Sequence, residues 1–254
     1  MHITLKKNIE ILTKEEFEKF QRISVIGVDL NSKYGVAYAI WIWNIRENLI
    51  KPMKTRFLPK IKSHIFQELE KQRLQEIHRN SVKYNELYQR INARIRRQNK
   101  DWVEKISKML IDIALESIKQ YNCEIAIISF EELKNYEAGN NSKGTNKKNA
   151  EWLRKIVKRT FEKSLWNNSM KILTYLPTFN KNQINLKQIL INADCTTIKC
   201  YKCGSFGKIG KGKNSFFICE KCGLITNKHY NASNNIAKNT IEYQRRLLSP
   251  ILSC

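Results

Sequence analysis

Residues 216–236 read FFICEKCGLITNKHYNASNNI. An apolar run leads into a pair of cysteines, Cys219 and Cys222. A short strand-like segment follows, then N-K-H, then an Asn- and Ala-rich helix start. An upstream pair, Cys200 and Cys203, precedes Cys219 by fifteen intervening residues. Two residues between cysteines let both thiolates of a knuckle reach one tetrahedral ion, and two knuckles complete a four-cysteine site. The intervening GSFGKIGKGKNSFFI is rich in turn residues and ends in an apolar strand, as a zinc ribbon needs. With cysteine at all four ligand positions, the pattern reads as a closed, structural Zn²⁺ site. His229 stands just beyond it without a carboxylate: between Gly223 and Cys254 the only acidic residue is Glu242. The residues alone leave three readings of His229 open: a metal ligand, a replacement for one, or a surface residue.

The chain of 254 residues suits one sizeable domain, or one with a small appendage, and its 42% hydrophobic content can fill a core. Forty-six basic against 23 acidic residues give a net charge of +23. That excess implies a polyanionic partner, since each neutralised phosphate releases counterions. No apolar run reaches the roughly 18 residues of a membrane-spanning helix, and no membrane partner is expected. The first 20 residues, MHITLKKNIEILTKEEFEKF, lack a signal core and cleavage site. Four of the seven cysteines fall in the two tight pairs, which points to metal in a reducing compartment rather than to disulfides. Cys123, Cys195 and Cys254 are scattered, and Cys123 reads as a small core residue before a strand.

Residues 23–30, ISVIGVDL, and 35–43, GVAYAIWIW, flank a turn-like Asn31-Ser32-Lys33 and read as a hairpin. Residues 53–59 add a third strand. Residues 64–121 read as helix, with apolar stripes over Ile65, Leu69, Ile77, Tyr84, Tyr88, Ile91 and Ile95 and over Trp102, Ile106, Leu110, Ile113 and Ile118. Two helices or one bent helix fit this pattern equally. The basic stretch between the stripes makes Arg94, Arg96 and Arg97 candidate phosphate contacts, against the alternative of a solvated helix face. Residues 124–130, EIAIISF, are a buried-type strand with Glu131 and Glu132 at its end. A polar loop over 135–150 carries Lys143, Lys147 and Lys148, further candidates for nucleic-acid contact. An amphipathic helix over 150–167 and a strand over 171–177 follow. Lys211 and Lys213 lie in the ribbon turn, where they can touch phosphate. A tail helix starts near Asn231 and runs to about Leu248. Strands alternating with helices give an α/β fold. The five tryptophans can stack on bases, but most sit in apolar stripes, which favours core packing.

Asp29 ends one strand and Glu131 ends another. Carboxylates on adjacent strand ends can hold hard divalent cations, and a Mg²⁺ or Mn²⁺ pair can support phosphodiester cleavage. Acidic residues at strand ends also commonly cap helices, and spacing alone does not choose between these roles.

Three stretches add a resemblance. VIGVDLNSKYGVAYAIW resembles the first RuvC motif of the TnpB family, and IAIISFEEL resembles its second. CYKCG, FFICEKCG and LITNKHYNASNNI together resemble its zinc ribbon fused to the third motif. The family comprises transposon-encoded TnpB proteins, Fanzor proteins and type V CRISPR effectors, and the likeness runs from about Ile23 to Asn239. It implies an RNase H-like (RuvC) core with an inserted four-cysteine ribbon, and DNA and guide RNA as partners. The implied division is an N-terminal extension over 1–22, a core over 23–199, the ribbon over 200–226, and a third-motif segment with its helix over 227–254. Asp29 matches the first catalytic aspartate and Glu131 the catalytic glutamate. The third departs: where the family has Asp before x-Asn-Ala, this chain has His229, and Asn227 stands where a second acidic residue is often found. Glu132 does not obviously compensate, because adjacent strand residues face opposite ways. Mg²⁺ prefers oxygen ligands, so the resemblance implies impaired or lost cleavage. The alternative is a metal-dependent endonuclease using Asp29, Glu131 and His229, with the imidazole as a Mn²⁺ ligand or base. Only 22 residues precede the first motif, which leaves two expectations for the family's N-terminal lobe: a separate polypeptide supplies it, or the chain is a truncated product. The expected location is the prokaryotic cytoplasm, or the nucleus for a eukaryotic or viral host.

Overall fold

A computed structural model of the protein describes residues 20–31, 35–59, 82–132, 185–192, 195–210 and 216–248. The amphipathic segment at 150–167, the strand at 171–177 and the loop over 135–150 lie outside the described residues, as do Lys143, Lys147, Lys148, Lys211 and Lys213.

Five strands form one sheet: β1 (Arg22–Asn31), β2 (Gly35–Asn44), β3 (Leu49–Phe57), β4 (Ile125–Glu132) and β5 (Asn185–Asn192). Their order is β3-β2-β1-β4-β5. β1 and β2 pair antiparallel, as do β2 and β3. β4 runs parallel to β1, and β5 parallel to β4. The expected hairpin is therefore present, and the third strand begins four residues earlier than its sequence pattern indicated. β1 and β4 read as near-continuous apolar runs because both faces of these central strands are covered.

Helix α1 (Val82–Tyr121) runs unbroken for 40 residues through the junction between the two apolar stripes, and residues 64–81 of the expected helical segment lie outside the described residues. It covers one face of the sheet. Trp102, Val103, Ile106, Leu110 and Ala114 pack there against Ile26, Val28, Tyr38, Ile40, Ile128 and Phe130. Helix α2 (Lys228–Leu248) covers the other face, where Ile236, Ala237 and Ile241 meet Ile23, Val25, Trp41, Trp43, Ile125 and Ile127. Trp41, Trp43 and Trp102 are all buried, in line with core packing.

α2 sits unusually close to β1. A Cβ on Gly27 would lie 2.2 Å from the Ser233 carbonyl oxygen and 2.4 Å from the Ala237 nitrogen. Glycine on the strand and small residues on the helix permit that approach. It fixes the height of α2, and of the side chains in its first turn, over the sheet.

The exposed edge strand β3 carries Lys51, Pro52, Lys54 and Arg56, and its pairing with β2 shifts register at Ile40/Trp41. Charge, proline and a bulge are the usual protections against edge-to-edge pairing. A second small sheet, in the order β6 (Lys208–Ile209), β7 (Phe216–Ile218), β8 (Ile225–Asn227), precedes α2. No helix among the described residues is long and apolar enough to cross a membrane.

Candidate functional site

Alternation along β1 puts Ile23, Val25 and Gly27 on the α2 face, and Asp29 follows them two residues on. Along β4 the same face carries Ile125, Ile127 and Ser129, then Glu131. Val28 pairs with Phe130, so the next register step sets Asp29 beside Glu131 at the carboxyl ends of two parallel strands. The two carboxylates expected from the sequence are therefore neighbours.

α2 begins at Lys228, three residues before the position its sequence pattern indicated. Asn227 is its cap: the side-chain oxygen accepts the His229 backbone N–H at 2.8 Å. The position that is often acidic in the resembling family thus serves here as a helix start. The earlier start puts His229 in the first turn, directly over the strand ends. Its Nδ1 lies 2.7 Å from Asp29 Oδ2, and both side chains are nearly buried, at 8% and 12% exposure. An ionised carboxylate only accepts, so Nδ1–H donates. Phe57 and Tyr230 wall the site, with ring centroids 4.8 Å apart and the Phe57 ring 6.3 Å from that of His229.

Glu131 is held differently. Burial, then the adjacent charge of Asp29, push its carboxyl up to about 7. The Thr196 hydroxyl donates to Glu131 Oε1 and partly offsets both. A pair of hard cations needs several ionised oxygens. Among the described residues the strand ends carry two carboxylates, Asp29 and Glu131, and one Asp29 oxygen is engaged by imidazole. This donor set fits two hard cations poorly.

The four cysteines, by contrast, converge. The Sγ atoms of Cys200, Cys203, Cys219 and Cys222 all lie within 4.8 Å of one another. The Cys200–Cys222 and Cys203–Cys219 separations are 3.7 and 3.4 Å. Tetrahedral geometry with Zn–S of about 2.3 Å requires sulfurs about 3.8 Å apart, so the cluster is compatible with zinc. The knuckles are built alike. Gly204 and Gly223 take φ of +78° and +71° and donate to the Cys200 and Cys219 carbonyls. Cys200 N–H donates to Ser205 O, and Cys219 N–H to Leu224 O. Glu220 pairs with Lys208 on the ribbon surface and takes no part in the strand-end cluster.

Sequence reasoning missed the residues that tie ribbon to core. Asn231 and Asn235, one helical turn apart, both donate to the Lys199 carbonyl, at 2.8 and 2.6 Å. Asn235 also donates to Thr196 O at 2.7 Å. Asn234 faces the sheet and accepts the Trp41 indole N–H at 2.8 Å. The signal was the spacing N-x-x-N-N in a helix, where asparagine is otherwise unfavourable. Arg94, Arg96 and Arg97 are exposed on α1, the helix on the opposite face of the sheet from His229.

No protein-family model and no curated protein matches the sequence. Solved structures do match. One is a Cas12f1–sgRNA–target DNA complex, at TM-score 0.51 and 17% identity over 84% of this chain and 49% of that one. Another is CasPhi-2 (Cas12j) bound to crRNA, at TM-score 0.50 and 12% identity over 87% and 48%. CasPhi-2 bound to crRNA and phosphorothioate-DNA matches at TM-score 0.51 and 12% identity over 87% and 45%. The chain shares its fold with type V CRISPR effectors. It spans about half the length of these effector chains.

Proposed function

We propose that this chain is a TnpB-like nucleic-acid-binding protein with an RNase H-like (RuvC) core, which binds DNA under the direction of an RNA and has impaired or lost cleavage. The observation that carries the second half is the Asp29–His229 bond. It commits the first carboxylate of the strand-end cluster to a side chain of the protein itself. The first half is supported by the strand order and by the net charge of +23. The likeness to an effector in complex with sgRNA and target DNA, and to another bound to crRNA and phosphorothioate-DNA, supports it further.

In this reading the four cysteines hold one structural Zn²⁺, and that ribbon completes the fold. Arg94, Arg96 and Arg97 contact phosphate, as do Lys143, Lys147, Lys148, Lys211 and Lys213. An active endonuclease is the second reading, favoured by one observation: Asp29 and Glu131 still stand side by side. In that case Asp29 orients the imidazole, and Mn²⁺ is the cation to try.

The test of binding is to purify the chain with its co-purifying nucleic acid, sequence that RNA, and measure anisotropy of labelled DNA across a salt series. Binding should weaken linearly in log–log form as salt rises. A chain that carries no RNA and binds no DNA at low salt would contradict the proposal.

A further inference from the structure

Thr196 lies 2% exposed between the two features described above. Its hydroxyl donates to Glu131, while its carbonyl accepts from Asn235 and, at 3.4 Å, from Asn231. It belongs to a strap, residues 195–201, that ends in the first cysteine knuckle. The strap is pinned to α2 all along its length. Asn231 donates to Thr197 O at 3.1 Å and accepts from Tyr201 N–H at 3.3 Å, and Lys238 Nζ donates to Tyr201 O at 3.2 Å. Tyr201, between the first two cysteines, packs edge-on against Trp41 of the core at 6.2 Å.

The other side of the strap is held by the knuckle itself. Gly207 N–H donates to Ile198 O at 2.9 Å, and Lys199 bridges to Phe206. These partners, Phe206 and Gly207, lie three and four residues beyond Cys203, the second cysteine of the knuckle. A small four-cysteine module owes its folded state to its metal. Without metal the 203–207 loop loses the ligation that shapes it, and the strap loses one of its two walls. A coupling between sites requires an element with two arrangements, and loss of the metal would give the knuckle a second one.

We infer that Thr196 is a positioning residue for Glu131, and that the four-cysteine ribbon sets the orientation of that carboxylate through the strap. This rests on metal occupancy of the cysteines and not on nucleic-acid binding, so each can fail without the other. It makes the ribbon part of how the strand-end cluster is built.

The experiment uses the full chain labelled with ¹³C at glutamate carboxyl carbons, with the Glu131 signal assigned by its loss in Glu131→Gln. Spectra are taken at about pH 9, well above the value of about 7 for Glu131, so the signal reports hydrogen bonding. Metal content is measured first, then stripped with a chelator. Thr196→Val and metal removal should shift the Glu131 signal in the same direction. Thr196→Ser should keep it at the wild-type position, and stripping Thr196→Val should add little further shift. The inference is overturned if metal removal disrupts ribbon signals yet leaves Glu131 unmoved, or if Thr196→Ser behaves like Thr196→Val. It is equally overturned if stripping unfolds the whole sheet, because the effect would then not run through the strap. Should Thr196→Val not fold, stripping of wild type and of Thr196→Ser decides alone.

Discussion

Gly27→Ala is the sharpest test of how α2 is held over the sheet. The new Cβ would sit 2.2 Å from the Ser233 carbonyl oxygen, where carbon and oxygen normally stop at about 3.3 Å. The helix must retreat by about 1 Å, a gap that forfeits a quarter to a half of the dispersion energy across the contact. The two nearest atoms, Ser233 O and Ala237 N, are backbone, so no rotamer change relieves them. Overpacking costs about 1–3 kcal/mol, and the backbone contacts place this case near the top. Lower entropy of the unfolded alanine chain offsets about 0.4–1 kcal/mol. The net loss is about 2–3 kcal/mol, or about 5–10 °C in Tm for a chain of this size. Urea and thermal unfolding of wild type, Gly27→Ala and the double variant with Ala237→Gly would measure it. The second change removes only the Ala237 Cβ contact at 2.9 Å and should not restore stability. A Gly27→Ala midpoint within about 0.5 kcal/mol of wild type, the range of surface substitutions, would refute the reasoning. Full rescue by Ala237→Gly would do the same.

Three further outcomes follow from the site. Burial and Asp29 hold Glu131 at about 7, above its ordinary 4.5, so the folded chain keeps a proton that the unfolded chain has released. This group's contribution to stability therefore falls as pH rises from about 4.5 to 7 and is level above that. Glu131→Gln should gain on wild type across that window and be the more stable at pH 8; a difference that shrinks as pH rises would contradict this. Replacing Cys219 by Ser should abolish stoichiometric zinc and leave a less stable chain, as read by metal analysis and melting; one zinc per chain in that variant would count against a four-cysteine site. Trp41→Phe deletes the indole N–H that Asn234 accepts and should cost about 0.5–1.5 kcal/mol, the worth of one hydrogen bond, since the Thr55 hydroxyl stays 3.4 Å from the same oxygen; an unchanged denaturation midpoint would deny Asn234 that role.

The sheet was legible wherever its strands are buried on both faces. The runs at 23–30, 35–43 and 124–130 are long, apolar and rich in β-branched residues, and they became β1, β2 and β4. β5 was not foreseen: Lys187 and Gln188 interrupt NLKQILIN, and a short edge strand needs no continuous apolar run. The start of α2 was placed late because apolar periodicity becomes visible only after Asn231, while the cap, Asn227, lies ahead of it. The cysteine cluster was fully readable, since ligand spacing is a local property. Asp29 and Glu131 could be named as strand-end carboxylates, but their adjacency depends on a parallel pairing across about a hundred residues. The His229–Asp29 bond and the Thr196–Glu131 bond were beyond reach for the same reason: both join segments brought together only by the fold.

The measurement that bears most directly on the central claim is cleavage of labelled single-stranded and duplex DNA by the chain carrying its own RNA. Wild type, His229→Asp and Glu131→Ala are compared in Mg²⁺ and in Mn²⁺. If imidazole has taken the place of a cation ligand, wild type should bind the DNA yet cut it no faster than Glu131→Ala in either metal. Wild-type cutting that Glu131→Ala abolishes would contradict the account and make His229 a working part of a nuclease.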